Sequence, residues 1–307
     1  MFFVRAIGFL VLMMMVITSC QPYKEKEAEK PDTPTRGEIT ISADESFRPI
    51  VEELVKVYEG NNASTKINVQ YKPEADCVKD LWNDSIRMII STVKLSEPER
   101  NAVMDSMRSR VWQLPVARDA IAVIVHPSSP DSMFTMNEIR LILSGQYPDR
   151  KIPVFDGVKA TSTVRYIMDS VLRGAPLSDK AVAARTSDSV IDYVASNPEA
   201  VGFIGVSWVG NKEDKEQLSF LKKIKIAHLE SNDRPGKYIL PVQANLYGKR
   251  YPMTRDLNYI VKERHRGLGT GFAEFMAGHI GQLIFKRAYL MPGRKNFVIR
   301  PIQLNEE

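Results

Sequence analysis

Cysteine is almost missing from this chain: Cys20 and Cys77 are the only two in 307 residues. That excludes a fold built on a disulfide framework. Histidine is equally scarce, and His126, His228, His265 and His279 lie too far apart to ligate a metal from one element. No nucleophile elbow, Walker loop or dinucleotide fingerprint occurs, and no nucleophile–base pair can be assembled, so nothing points to an enzyme or a cofactor. The basic surplus is small, a formal net charge of +5 spread without a block, which gives no case for nucleic acid. Past residue 17 no run is long and apolar enough to cross a bilayer. Trp82, Trp112 and Trp208 stand alone and read as core or rim residues. What remains is ordinary globular composition, 44% hydrophobic, enough for one large domain or two smaller ones.

The beginning of the chain carries the most specific local signal. Arg5 precedes an apolar run from Ala6 to Ile17, the length of a secretion-signal core and short of a membrane span. Thr18-Ser19-Cys20 then resembles a bacterial lipobox, in which residues 1–19 are removed and Cys20 takes the lipid. Residues 20–36, rich in charge and proline and poor in large apolar side chains, read as a flexible tether. With Cys20 lipidated, Cys77 has no partner, and a small buried filler is its commoner role. These features place the protein in the cell envelope, anchored to a membrane by lipid and facing the periplasm or exterior.

From Gly37 onward, strands alternate with helices. "GEITISADESF" opens with an alternating strand, and Ile50, Val51, Leu54, Val55 and Tyr58 then share one helical face closed by Gly60. "STKINVQYKP", "RMIIST" and Ala120–Val125 read as strands, and "EADCVKDLWND" and "MNEIRLILSG" as helices. "TGFAEFMAGHIGQLIFKRAYLMP" reads as one closing helix with Phe272, Phe275, Met276, Ile280, Leu283 and Ile284 inward, while "KEDKEQLSFLKKIKIAHLE" reads as a solvated loop and strand. The alternation predicts an α/β fold with mainly parallel sheet. In such sheets ligands sit beyond the carboxyl ends of strands, at helix N-termini. Polar loops at Ser42–Phe47, Glu74–Cys77 and Thr161–Thr163, and the strand end Ser91-Thr92, meet that description.

The hydroxyl run is unusual for its number. Val164, Ile167, Met168, Val171 and Leu172 recur at helical spacing, so a helix begins near Val164. One hydroxyl caps it, worth about 1 kcal/mol. Two others are left over, and hydroxyls clustered with free amides form an anion cradle.

In order and spacing these segments resemble the phosphate-binding (PstS-like) periplasmic lipoproteins of ABC uptake systems. "SADESF" stands at that family's first anion loop. "LPVARDAIAVIVHPSSP" with "FTMNEIRLILSGQYPD" matches its interdomain strand and following helix. "NPEAVGFIGVSWV", "YPMTRDLNYIVKE" and "FAEFMAGHIGQLIFKRAYLMP" match its Gly-aromatic strand, return strand and closing helix. The resemblance implies a two-lobed periplasmic-binding-protein fold (type II-like) with a hinge. Residues 37–117 plus 246–307 form one lobe and residues 118–245 the other. It implies a phosphate or similar tetrahedral oxyanion as ligand, ABC permease subunits as partners, and no enzymatic activity. Carried over by position, the ligand-binding residues are Ser46, Phe47, Asp76, Ser91, Thr92, Thr161, Ser162 and Thr163.

The departures from the family pattern are specific. Thr92 replaces a proton-accepting Asp, Gly157 stands at the family's Arg, and Asp44, Glu45 and Ser162 replace loop glycines. Lys159, Arg165 or Arg48 can supply the missing charge. Two acids near a dianion repel it unless one takes a ligand proton or both point outward. A second reading therefore keeps the fold but makes the chain a surface interaction or sensor lipoprotein whose anion binding is lost or altered.

Overall fold

The computed structural model describes residues 32–157, 161–211 and 213–293. The signal segment 1–19, Cys20, most of the tether and Lys159 lie outside the described residues.

The chain proceeds through β1 (Gly37–Asp44), α1 (Arg48–Asn61), β2 (Thr65–Lys72), α2 (Glu74–Lys79), β3 (Ile86–Ser91), α3 (Glu97–Met107) and β4 (Arg110–Val125). A middle section follows: β5 (Met133–Phe134), α4 (Met136–Ser144), β6 (Ile152–Phe155), α5 (Ser162–Tyr166), β7 (Val182–Ala183), α6 (Ser187–Ser196) and β8 (Ala200–Gly205). It continues with α7 (Lys215–Lys223), β9 (Lys225–Ile226), β10 (His228–Ser231) and β11 (Arg234–Ile239). The return comprises α8 (Gln243–Tyr247), β12 (Thr254–Glu263), α9 (Leu268–Ala277), α10 (His279–Arg287) and β13 (Met291–Pro292).

The main sheet runs β2-β1-β3-β12-β4-β8-β6-β7. Its flanks are parallel, β1 against β2 and β3, and β6 against β7 and β8. Its centre is antiparallel: β12 lies between β3 and β4, and the end of β4 pairs with β8. This is the two-lobed α/β periplasmic-binding-protein fold. β4 is what joins its halves, pairing through Arg110–Ala120 with β12 and through Ile121–Val125 with β8. Periodicity marks only Ala120–Val125 as strand, because Pro115 interrupts the pattern. The proline is tolerated at a bulge, where Leu257 pairs with Ala117 and Asn258 with Pro115.

Three other expectations change. The closing helix is two helices that break at Gly278, with Ile280 and Leu283 47% and 45% exposed rather than inward. A Cβ on Gly281 would sit 2.4 Å from the Phe275 carbonyl oxygen, so only glycine allows this tight corner. The charged stretch after Gly210 contains a true helix, α7, capped by Asp214 and burying Phe220. Finally, Asp32 to Arg36 are not tether. The Asp32 carboxylate accepts from Leu268 N at 2.6 Å and pairs with Arg87 at 3.1 Å, and Thr33 and Arg36 bridge one another.

Candidate functional site

β1 ends in a buried acidic loop rather than a glycine loop. Asp44 accepts the Ser46 amide at 3.1 Å, which turns the chain into the short 3₁₀ segment Glu45–Phe47. Ser46 points across to the middle section, where its hydroxyl donates to Asp156 at 2.7 Å. Its carbonyl accepts from the Trp208 indole at 2.8 Å. Phe47 is fully buried.

The three hydroxyls after Ala160 divide their labour. Thr161 is the cap, its oxygen accepting from Val164 N at 3.2 Å. Ser162 and Thr163 are already helical, two residues before the apolar period starts, and both are buried. Arg255 Nη1 donates to Ser162 at 2.8 Å and to Thr163 at 3.2 Å. The Ser46 hydroxyl lies 3.5 Å from each. Three hydroxyls from two distant segments thus meet at one guanidinium.

The cation at these hydroxyls is Arg255, which is not among the candidates Lys159, Arg165 and Arg48; Lys159 lies outside the described residues. Arg255 is the register partner of Asp119 across β12 and β4, and its Nε donates to that carboxylate at 2.9 Å. Its Cζ sits 4.8 Å from the Phe47 ring centroid, a cation–π contact that fixes the guanidinium plane. The signal was present in the sequence. Met253, Arg255, Leu257, Tyr259 and Val261 alternate along "YPMTRDLNYIV", so the arginine falls on the inward face of an apolar strand. A charge in that position is buried and must be paired. Gly157, by contrast, has φ of 145°, a conformation that disfavours any side chain, so the family's arginine does not fit this backbone.

Arg165 and Arg48 have other partners. Arg165 Nε donates to Glu74 at 2.6 Å and Nη2 to the Thr92 hydroxyl at 2.7 Å. Glu74 in turn accepts from Thr92 N and Oγ1 at 2.8 and 2.6 Å. Thr92 therefore belongs to a rim cluster beside the buried one. Arg48 stacks over the Tyr71 ring at 4.8 Å. Ser91 is buried, its oxygen accepting from Val93 N at 3.2 Å within its own turn. Asp76 lies apart from both clusters, pairing with Lys79 one helical turn away with 47% of its side chain exposed.

Acids crowd the buried cluster. Asp44, Glu45, Asp119 and Asp156 are all buried. Glu45 and Asp156 share one donor, the Ser187 hydroxyl, at 3.3 and 3.2 Å. Burial, then the neighbouring Asp156, pushes Glu45 up to about 7. Burial and then Glu74 push Asp44 up to about 7 as well, although Arg255 and Ser162 oppose the shift. Burial raises Asp119 too, against the pull of Arg255. Neither loop acid points outward.

The arrangement offers one fixed guanidinium, three convergent hydroxyls and two carboxyls, Asp44 and Glu45, pushed up to about 7 by burial. No group is placed to attack or cleave; the chemistry available is hydrogen bonding and charge. Phosphate-binding protein PstS of Borreliella burgdorferi is 20% identical over 260 residues, 80% of this chain and 86% of that protein. Protein SphX of Synechococcus elongatus is 23% identical over 278 residues, 85% and 77% of the two chains. A Clostridium perfringens crystal structure, a phosphate ABC transporter substrate-binding protein with bound phosphate, superposes with TM-score 0.68 at 18% identity. It covers 84% of this chain and 100% of that one. Two of these three are named for binding phosphate, and the chain's likeness is to binding proteins rather than to enzymes. The family model described as the PBP superfamily domain matches residues 28–279, and on that match the chain is a member of the periplasmic-binding-protein superfamily.

Proposed function

We propose that this protein captures phosphate or a similar tetrahedral oxyanion between its two lobes and delivers it to the permease subunits of an ABC uptake system. The observation that carries the reading is Arg255 held against Ser162 and Thr163, with Ser46 brought to the same point from the other side. Each hydroxyl-to-anion hydrogen bond contributes about 1.5–3 kcal/mol, and a desolvated guanidinium adds the charge. In this reading residues 37–117 plus 246–307 form the first lobe and residues 118–245 the second. The ligand-binding set is Ser46, Phe47, Ser162 and Thr163 with Arg255 added; Ser91, Thr92 and Thr161 support it.

Hinge closure brings the two segments together and reports occupancy to the permease. Cys20 lipidation and the residues that follow it fix the protein to the membrane outside the cytoplasm. Equilibrium dialysis of the purified soluble part with labelled phosphate tests the ligand. Retention at micromolar concentration supports the proposal. No retention of phosphate at millimolar concentration removes it and leaves the interaction or sensor role, which the surplus of buried acids favours.

A further inference from the structure

The binding cluster carries more negative charge than its hydroxyls and Arg255 explain. Asp44, Glu45, Asp119 and Asp156 face one buried arginine, with the half-buried Arg48 near Glu45. Glu45 and Asp156 also sit at the start of α6 through Ser187, where the helix dipole supplies roughly half a positive charge. With all four ionised the balance leaves roughly one and a half negative charges before any anion enters, a surplus reduced by the protons that Asp44 and Glu45 hold near neutrality. All four of these carboxyls also have an oxygen to spare. Asp44 Oδ2, Glu45 Oε1, Asp119 Oδ1 and Asp156 Oδ1 are buried and find no hydrogen-bond donor among the described residues, and Glu45 and Asp156 are the two that share Ser187. An unsatisfied buried acceptor is destabilising, more so when charged, so four together call for donors.

A metal ion would be one answer to them. No three His, Cys, Asp or Glu side chains among the described residues are arranged to hold one. An ammonium group answers better, because it brings three hydrogen-bond donors and a compact positive charge. The place for it is beside the oxyanion position. Ser46 touches Asp156 on one side and lies near Thr163, an Arg255 partner, on the other.

We propose, resting on the oxyanion reading above, that the preferred ligand is a zwitterion. Its phosphate or phosphonate group lies on Arg255, Ser162, Thr163 and Ser46, and its ammonium lies against Glu45 and Asp156. Calorimetric titration of the full chain with inorganic phosphate, ethylphosphonate and 2-aminoethylphosphonate decides it. The two phosphonates differ in the amine alone. 2-Aminoethylphosphonate should bind at least tenfold more tightly than ethylphosphonate. Glu45→Gln should erase that preference while strengthening the binding of phosphate itself, since a neutral side chain no longer repels it. Phosphate binding with equal affinities for the two phosphonates would overturn the zwitterion and leave the oxyanion site standing. Binding of none of the three would remove the oxyanion site and the zwitterion with it.

Discussion

Arg255 and Arg165 make similar contacts at first sight. Each reaches one carboxylate and at least one hydroxyl, and each hydroxyl partner comes from a segment far away in sequence. Their surroundings differ. The Arg255 side chain is 3% exposed and its partner Asp119 is fully buried, whereas Arg165 is 45% exposed above a buried Glu74. A buried pair has lost its water and depends on its partners, while a half-exposed arginine keeps a solvent alternative. Arg255 is thus suited to hold a desolvated anion in place, and Arg165 to line its approach.

The sharpest break of this comparison is Arg255→Met. It strands Asp119 and Ser162, so stability should fall by about 3–5 kcal/mol in urea titration, and phosphate retention should disappear. Adding Asp119→Asn removes the stranded charge. The double variant should recover much of the stability and none of the binding, which separates the two roles. Unchanged affinity in a folded double variant would put the anion elsewhere.

The hydroxyl run allows a comparison within three residues. Ser162→Ala with Thr163→Val should weaken phosphate binding at least tenfold, since two charge-assisted bonds are worth about 1.5–3 kcal/mol each. Thr161→Ala should cost about 1 kcal/mol of stability as a lost cap and leave affinity alone. The reverse pattern, with binding lost only on changing Thr161, would mean that the cap and the contacts are misassigned.

What the sequence could reveal follows the same division. Order and periodicity located most of the strands and helices, because those depend on local pattern and chain order. The surplus of hydroxyls at Thr161–Thr163 was visible by counting, since a cap needs only one oxygen. The inward position of Arg255 was legible in the alternation of its strand, but its partners were not, since it lies 92 positions from Thr163 and its pairing with Asp119 is a fact of strand register rather than of spacing. Asp156 and Ser187 were missed for the same reason. Arg165, one of the three candidates for a replacement charge, is paired with Glu74, a partner that is buried and near in space but 91 positions away. The closing helix misled because its apolar period continues across Gly278, and only the tight corner at Gly281 shows the break.

The acids give a pH test of the buried cluster. Glu45 and Asp44 are raised from 4.5 and 3.8 to about 7, so the folded state holds protons that the unfolded chain has released. Between those limits the native state binds more protons, and stability falls as pH rises. Urea midpoints measured in the absence of ligand should therefore drop from pH 5 to pH 7.5 and level off above. The lowered carboxyls Asp80, Asp233 and Glu99 act in the opposite sense but titrate below their ordinary values, outside this window. Glu45→Gln should reduce the slope. A midpoint that rises across the same range would show that the loop acids are ionised and paired throughout.

The smallest effect belongs to the rim. Arg165→Gln removes a guanidinium that is nearly half exposed, while Glu74 keeps two hydrogen bonds from Thr92. Half-exposed pairs contribute up to about 1 kcal/mol, and a buried partner that stays hydrogen-bonded limits the loss. Stability should fall by roughly 1 kcal/mol, and phosphate affinity by less than tenfold, in contrast to Arg255→Met. Salt sharpens the distinction, because screening acts on exposed charges and hardly reaches buried ones. Raising ionic strength should slow phosphate association in the parent protein more than in Arg165→Gln, as stopped-flow measurement can show. If the variant instead loses binding as completely as Arg255→Met, the rim arginine is a direct ligand and the two clusters form one site.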